Sequence, residues 1–141
     1  ISDVNTFEKI QITLYFADET GEKLVEEDRE VVHSMNTSLE KLVVEELLKG
    51  PEVEGGYPTL PSDVKLLNVS VSENVCYVNF DSNFLNNSLE VIPIYSIVNS
   101  LCAISSVNKV QLTVNGSSDV MFRDVISLNT QFERNLDLGG E

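Results

Sequence analysis

Tryptophan is absent from this 141-residue chain, histidine occurs once and cysteine twice. With His33 alone and no Cys-x-x-Cys pair, a tetrahedral zinc set lacks its usual material. His33 stands in a Ser/Asn-rich stretch between a strand and a helix, where a loop residue is the expectation. Basic residues are scarce as well, 9 Lys and Arg against 23 Asp and Glu, for a net charge of −14. Nucleic acid is bound by cations that displace phosphate counterions, and anionic lipid by basic patches. The charge balance argues against both. No apolar run approaches the ~20 residues of a membrane-spanning helix. GxSxG, P-loop, GxGxxG and HExxH motifs are all missing. Gly55-Gly56 lies between Glu54 and Tyr57-Pro58 with no lysine and no following helix, so it offers no phosphate cradle. The acids cluster on a hairpin and a helix surface as solvated charge. No catalytic residue, metal ligand or cofactor is expected, and the chain reads as a non-enzyme.

What is present is an ordinary single-domain share of apolar residues, 42 % of the chain. The first residue is Ile1 rather than Met, which points to a processed or truncated chain whose targeting segment lies upstream. Charge is unevenly spread: residues 1–54 carry 14 acids and 5 bases, whereas residues 55–116 carry 4 and 2. Glu26-Glu27-Asp28-Arg29-Glu30 has no glycine for a calcium loop, and the expectation is a solvated edge strand. Cys76 alternates with Val78 and Phe80, and Cys102 lies in an apolar helical pattern beside Leu101. Both read as buried, reduced thiols, although an exported chain would permit a disulfide between them.

Period-two alternation makes Lys9 to Phe16 a strand, with Ile10, Ile12, Leu14 and Phe16 inward. Turn residues Asp18 to Gly21 send Lys23 to Val32 back as its hairpin partner. Thr37-Ser38-Leu39-Glu40 fits a capping box with Thr37 as N-cap. Leu39, Leu42, Val43 and Leu47 then form a helix stripe, stopped by Gly50-Pro51. The connection from Pro51 to Asp63 is long enough to be a candidate functional loop. Val64 to Ser72 is a strand whose phase slips between Leu66 and Leu67, so a bulge is expected, with Leu67, Val69 and Val71 inward after it. Glu73-Asn74 turns into Val75–Asp81. A helix follows from Ser88 or Glu90 to Ser105, with Ile94, Ile97, Val98, Leu101 and Ser105 inward. Lys109 to Asn115 is a further strand, and a short one is expected near Val125–Asn129. The order β-β-α-β-β-α-β, polar on one side of every strand, predicts an α+β two-layer sandwich: a mixed or antiparallel sheet with two helices on one face.

The inward sets leave Gln11, Thr13, Tyr15, Tyr77, Asn79, Gln111 and Thr113 facing outward. None is charged, in a chain that is 23 % charged. Strand propensity favours Thr and Tyr without any partner. The alternative is that this neutral face receives another protein, with Tyr15 and Tyr77 as amphipathic anchors.

Several segments together resemble the GerMN domain of sporulation and spore germination proteins. They are Leu47-Leu48-Lys49-Gly50-Pro51, Leu60-Pro61-Ser62-Asp63-Val64-Lys65-Leu66-Leu67, Val75-Cys76-Tyr77-Val78-Asn79-Phe80-Asp81, Tyr95-Ser96-Ile97-Val98-Asn99-Ser100-Leu101 and Val107 through Gly116. Tyr15-Phe16, Leu24-Val25, Arg29 and Phe132-Glu133-Arg134-Asn135 add to the likeness. The resemblance implies one such domain over residues 9–135, with flexible ends at 1–8 and 136–141. It also implies a fold like that of ring-building domains, and no known catalytic residues. An extracytoplasmic place is implied too, through a lipid anchor upstream of Ile1. The partners implied are other envelope or sporulation-complex proteins. Separately, self-repulsion at a net charge of −14 predicts that any homo-oligomer is weak in isolation and stronger at high salt. The competing expectation is a monomeric ligand-binding or sensor-accessory domain that uses the Pro51–Asp63 loop.

Overall fold

Alternation at the chain's start produces a long hairpin. In the computed structural model, which describes residues 7–86, 91–123, 126–135 and 137, β1 spans Phe7–Ala17 and β2 spans Leu24–Ser34. They pair antiparallel from Phe7 opposite Ser34 to Ala17 opposite Leu24. Ile12, Leu14 and Phe16 are buried and Ile10 is half-buried. The turn is built by Asp18, whose Oδ1 accepts from the N–H groups of Thr20 (3.0 Å) and Gly21 (3.1 Å). The Thr20 hydroxyl also donates to this carboxylate, and chiefly for that reason the Asp18 pKa is lowered.

Helix α1 covers Leu39–Lys49. Its N-cap is Ser38, not the expected Thr37: Ser38 Oγ accepts from the Lys41 N–H at 3.1 Å. Glu40 does not reach back to the cap, because it accepts a hydrogen bond from Ser106 Oγ across the fold. Thr37 instead offers its carbonyl to His33 Nε2 at 2.7 Å. His33 is therefore a residue of β2 that fastens the strand to the helix start, not a loop residue. Gly50, at φ 95°, ends the helix where the sequence placed the stop.

The second half builds another sheet. β3 spans Leu66–Ser72 and β4 spans Val75–Phe80, joined by Glu73 and Asn74 at φ 53° and 66°. Two positive φ values in a two-residue connection match the twist of a tight hairpin. The register shifts between Leu66 and Asn68, as the apolar phase slip required. The inward set of β3 differs from expectation, since Leu67 is 49 % exposed and Val71 38 %. Leu67 is the bulged residue, and Val71 lies opposite Cys76 at the turn end of an edge strand.

A 3₁₀ turn at Ser82–Leu85 precedes helix α2, Ile92–Cys102. The expected helix start at Ser88 or Glu90 lies outside the described residues. Ile94, Ile97, Val98 and Leu101 are buried as expected, whereas Ser105 lies beyond the helix and is exposed. The helix connects β4 to β5, Lys109–Val114, which run parallel. Parallel neighbours need such a crossover. Short strands β6 (Met121–Phe122) and β7 (Ile126–Ser127) form a small hairpin, and β8 (Phe132–Glu133) pairs with β5. Of these only β7 falls in a stretch read as strand. The expected flexible ends fall mostly outside the described residues.

The architecture is α+β, with a mixed sheet ordered β3-β4-β5-β8 and the β1–β2 hairpin as a separate ribbon. Cys76, Val78, Phe80, Val110 and Leu112 of the sheet join the inward faces of β1, α1 and α2 in one core. Phe84 stacks on Phe80 at 4.8 Å and meets Phe122 at 5.2 Å. Among the described residues, no helix is long and apolar enough to cross a membrane.

Candidate functional site

The seven outward residues fall on two surfaces. Gln11, Thr13 and Tyr15 lie on the hairpin opposite Glu30, Asp28 and Glu26. Thr13 Oγ1 donates to Asp28 Oδ1 at 3.1 Å. Burial, and then the charge of Glu26, hold the Tyr15 phenol above its ordinary pKa, with Arg134 opposing. This surface is acidic, because cross-strand neighbours share a face and β2 supplies its carboxylates there. The sequence pattern shows which way these residues point and which strand returns beside them, but not the register that puts β2's carboxylates opposite.

Tyr77, Asn79, Gln111 and Thr113 do come together, on the face of the four-stranded sheet opposite the helices. Tyr77 lies beside Gln111 and Asn79 beside Thr113 in the β4–β5 register. Asn79 Oδ1 accepts from Thr113 Oγ1 and from the Gly116 N–H, both at 2.8 Å, so it holds the turn after β5. Gln111 Nε2 donates to the Leu128 carbonyl at 2.8 Å. Tyr77, 37 % exposed, is the residue of the four most available to a partner. β3 extends the face with Asn68, opposite Asn79, and Ser70, opposite Tyr77, both exposed. Sequence reading missed these two, because the slip at Leu67 hides their phase.

The outer face thus presents Asn68, Ser70, Tyr77, Asn79, Gln111 and Thr113 as an uncharged patch, with the exposed Lys109–Glu133 ion pair (3.6 Å) at one end. Its border, β3, is also uncharged from Leu66 to Ser72 and exposes Leu67 and Val71. The contrast lies within the same molecule. β2, the outer strand of the hairpin, carries Glu26, Glu27, Asp28, Arg29 and Glu30, and edges are commonly protected by such charges. β3 has no such protection.

The expected solvated strand at 26–30 is only half so. Glu27 is 2 % exposed and Arg29 4 %. Arg29 Nε donates to Glu27 Oε2 at 2.7 Å, its Nη1 to Glu46 Oε1 at 3.0 Å and its Nη2 to the Gly50 carbonyl at 2.9 Å. Its guanidinium lies 5.7 Å from the centre of the Phe16 ring. Burial works to lower the Arg29 pKa, but the hydrogen bonds of Glu27 and Glu46 raise it above its usual value. Glu27 also accepts from the Glu52 N–H at 3.0 Å, and Lys49 donates to Glu46 at 2.7 Å. The hairpin register was the available signal, since it puts Glu27 opposite Leu14 and Arg29 opposite Ile12, on the inward side. The cluster ties β2 to the end of α1, with every charged group engaged and no open position for chemistry.

Both cysteines are free; Cys76 is buried and Cys102 half-buried, less covered than expected. Burial pushes the Cys76 thiol up to about 12 and raises that of Cys102. Neither carries the thiolate that nucleophilic chemistry needs at neutral pH. Among the described residues, no group of three or more His, Cys, Asp or Glu is placed to hold a metal ion.

The arrangement has relatives. The family model Germane, described as sporulation and spore germination, matches residues 13–120. No curated protein matches the sequence. Among solved structures, the tandem GerMN domains of the sporulation protein GerM from Bacillus subtilis align with a TM-score of 0.76 at 20 % identity, covering 99 % of this chain and 50 % of that one. This chain therefore spans about half the length of that structure. A candidate lipoprotein from Clostridium perfringens aligns with a TM-score of 0.64 at 22 % identity, covering 99 % of this chain and 98 % of that one. The first GerMN domain of the Bacillus subtilis protein gives 0.58 at 21 % identity, covering 92 % and 97 %. At these identities the likeness establishes the fold.

Proposed function

This chain belongs to the Germane family of sporulation and spore germination, and from that membership we propose that it is a non-enzymatic assembly module of the cell envelope. In this reading it works outside the cytoplasm and joins other proteins of a sporulation or germination complex. The observation that carries the reading is the patch of six uncharged residues on the outer sheet face, with one Lys109–Glu133 pair at its end, continuous with an uncharged β3 edge on a chain of net charge −14. A face exposed only to water in so acidic a chain would collect more carboxylates than the single Glu133 at its end. Desolvating neutral Ser, Asn and Tyr costs far less than desolvating ions, and Tyr is enriched where proteins meet. A second copy is one partner such a surface suits, since it brings no like charges into contact. The likeness to a candidate lipoprotein supports attachment to the membrane through a lipid anchor upstream.

The test is the pair Tyr77→Glu and Asn68→Arg, which charges the face with opposite signs at diagonal positions and leaves the inward packing alone. A thermal melt close to that of the unaltered protein, with loss of partners cross-linked in sporulating cells, is the expected outcome. An unchanged melt with unchanged partners would move the interface elsewhere.

A further inference from the structure

We propose a second docking site, distinct from the outer sheet face: the open edge of β1 at Gln11 and Thr13 accepts an extended, lysine- or arginine-bearing segment of another protein as an added strand. One edge of β1 is taken by β2. The opposite edge is occupied at Tyr15 and Ala17, its C-terminal end, by groups that are not a strand. The Ala17 N–H donates to the Tyr57 carbonyl at 3.1 Å, and the Tyr57 N–H to the Ala17 carbonyl at 2.8 Å. Two residues earlier, the Tyr15 N–H donates to Ser100 Oγ at 2.9 Å, and the Tyr15 carbonyl accepts from Ser96 Oγ. Two α2 serines thus stand in for a neighbouring strand.

Outward-directed N–H and C=O groups recur at every second residue of an antiparallel strand. Thr13 and Gln11 therefore direct theirs along the same edge as Tyr15 and Ala17. The helix does not follow them. α2 ends at Cys102 while β1 continues, and a groove of about 330 Å³ opens between the Gln11–Thr13 edge and the wall formed by Ala103 and Ile104. Leu39 and Val43 of α1 also line it. A strand edge beside an apolar pocket is the arrangement used for strand addition: main-chain hydrogen bonds give affinity, and pockets for alternate side chains give selectivity.

The chemistry of the occupant follows from the two sides of the added strand. Inward side chains meet Leu39, Val43 and Ile104, which suit an aliphatic residue. Outward side chains lie beside Gln11 and Thr13, whose cross-strand neighbours are Glu30 and Asp28, with Glu26 next. These carboxylates lie about 10 Å away, two strand spacings, so a Lys or Arg leaning across β1 brings its charge close to them. No Lys or Arg lines the groove. The segment that fits alternates basic and aliphatic residues.

Nuclear magnetic resonance titration of the whole chain with the blocked pentapeptide acetyl-Lys-Val-Lys-Val-Lys-amide tests this. The amides of Gln11 and Thr13 should shift and their hydrogen exchange should slow, and the Glu-for-Lys peptide should do neither. Thr13→Pro removes the N–H that the added strand needs, at an edge position where proline is tolerated. Ala103→Arg fills the groove from its exposed wall and leaves β1 intact. Each should weaken the peptide at least tenfold, as should Asp28→Lys with Glu30→Lys. Shifts confined to β2 or β3, or full affinity in folded Ala103→Arg, would overturn the proposal.

Discussion

Arg29 shows what a single side chain can impose on this fold. Its five donors face two buried carboxylates and a helix-end carbonyl, and Arg matches such a set where Lys, a compact point charge, does not. Burying three ions is costly, and a buried network of this kind adds little net stability compared with an apolar cluster of similar volume. Breaking it is another matter. Arg29→Ala leaves Glu27 and Glu46 facing each other without water, and should cost about 3–5 kcal/mol. Glu27→Leu, Arg29→Met and Glu46→Leu together should recover most of that loss. Urea unfolding of the two variants measures both quantities. A loss under about 1 kcal/mol for Arg29→Ala would mean that water reaches the carboxylates, contrary to their burial.

Elements succeed or fail at their ends. In α1 the capping-box pattern puts the cap at Thr37, whereas the structure puts it at Ser38, whose hydroxyl accepts from the Lys41 N–H while Thr37 contributes its carbonyl to His33. Ser38→Ala should therefore cost about 1 kcal/mol, and Thr37→Ala should cost little, as read by urea unfolding. Equal losses from the two substitutions would contradict the cap geometry. Local chemistry made much else legible: the hairpin from alternation, the Gly50 stop, the Glu73-Asn74 turn, the slip at Leu67. Neighbours across space were not. Alternation gave β1 its buried face but could not say that its second edge meets Tyr57 and two α2 serines in place of a strand. Four of the five expected stripe residues of α2 are buried, Ser105 being the exception, and the helix is covered on another flank as well. Asn99 is buried there, donating to the Asn135 carbonyl and accepting from the Asn135 N–H, both at 2.8 Å. The absence of any charge between Ile92 and Cys102 was the available sign, since a helix without a charged face is one that is covered. For the candidate surface, four of the seven residues were found together; Asn68 and Ser70 were hidden by the bulge.

At the scale of the whole molecule, the uneven charge of the sequence becomes a spatial division. Residues 1–54, with 14 acids and 5 bases, make the hairpin and α1, whereas β3, β4 and β5 come from residues 55–116, with 4 acids and 2 bases. Two copies approaching through their hairpins would set carboxylates against carboxylates. Approaching through β3, they would set Leu67, Val69, Ser70 and Val71 against the same uncharged strand and satisfy free edge groups on both. Long-range repulsion between the two net charges of −14 still opposes that approach. It weakens as the Debye length falls from about 10 Å at 0.1 M salt to about 3 Å at 1 M. Self-association should therefore be weak at low salt and strengthen with it, as measured by sedimentation equilibrium across that range. Val71→Lys places a charge on the shared edge and should abolish the association at every salt concentration, whereas Glu30→Lys should strengthen it at low salt only. Association that ignored salt, or that survived Val71→Lys, would show that copies meet through some surface other than this edge.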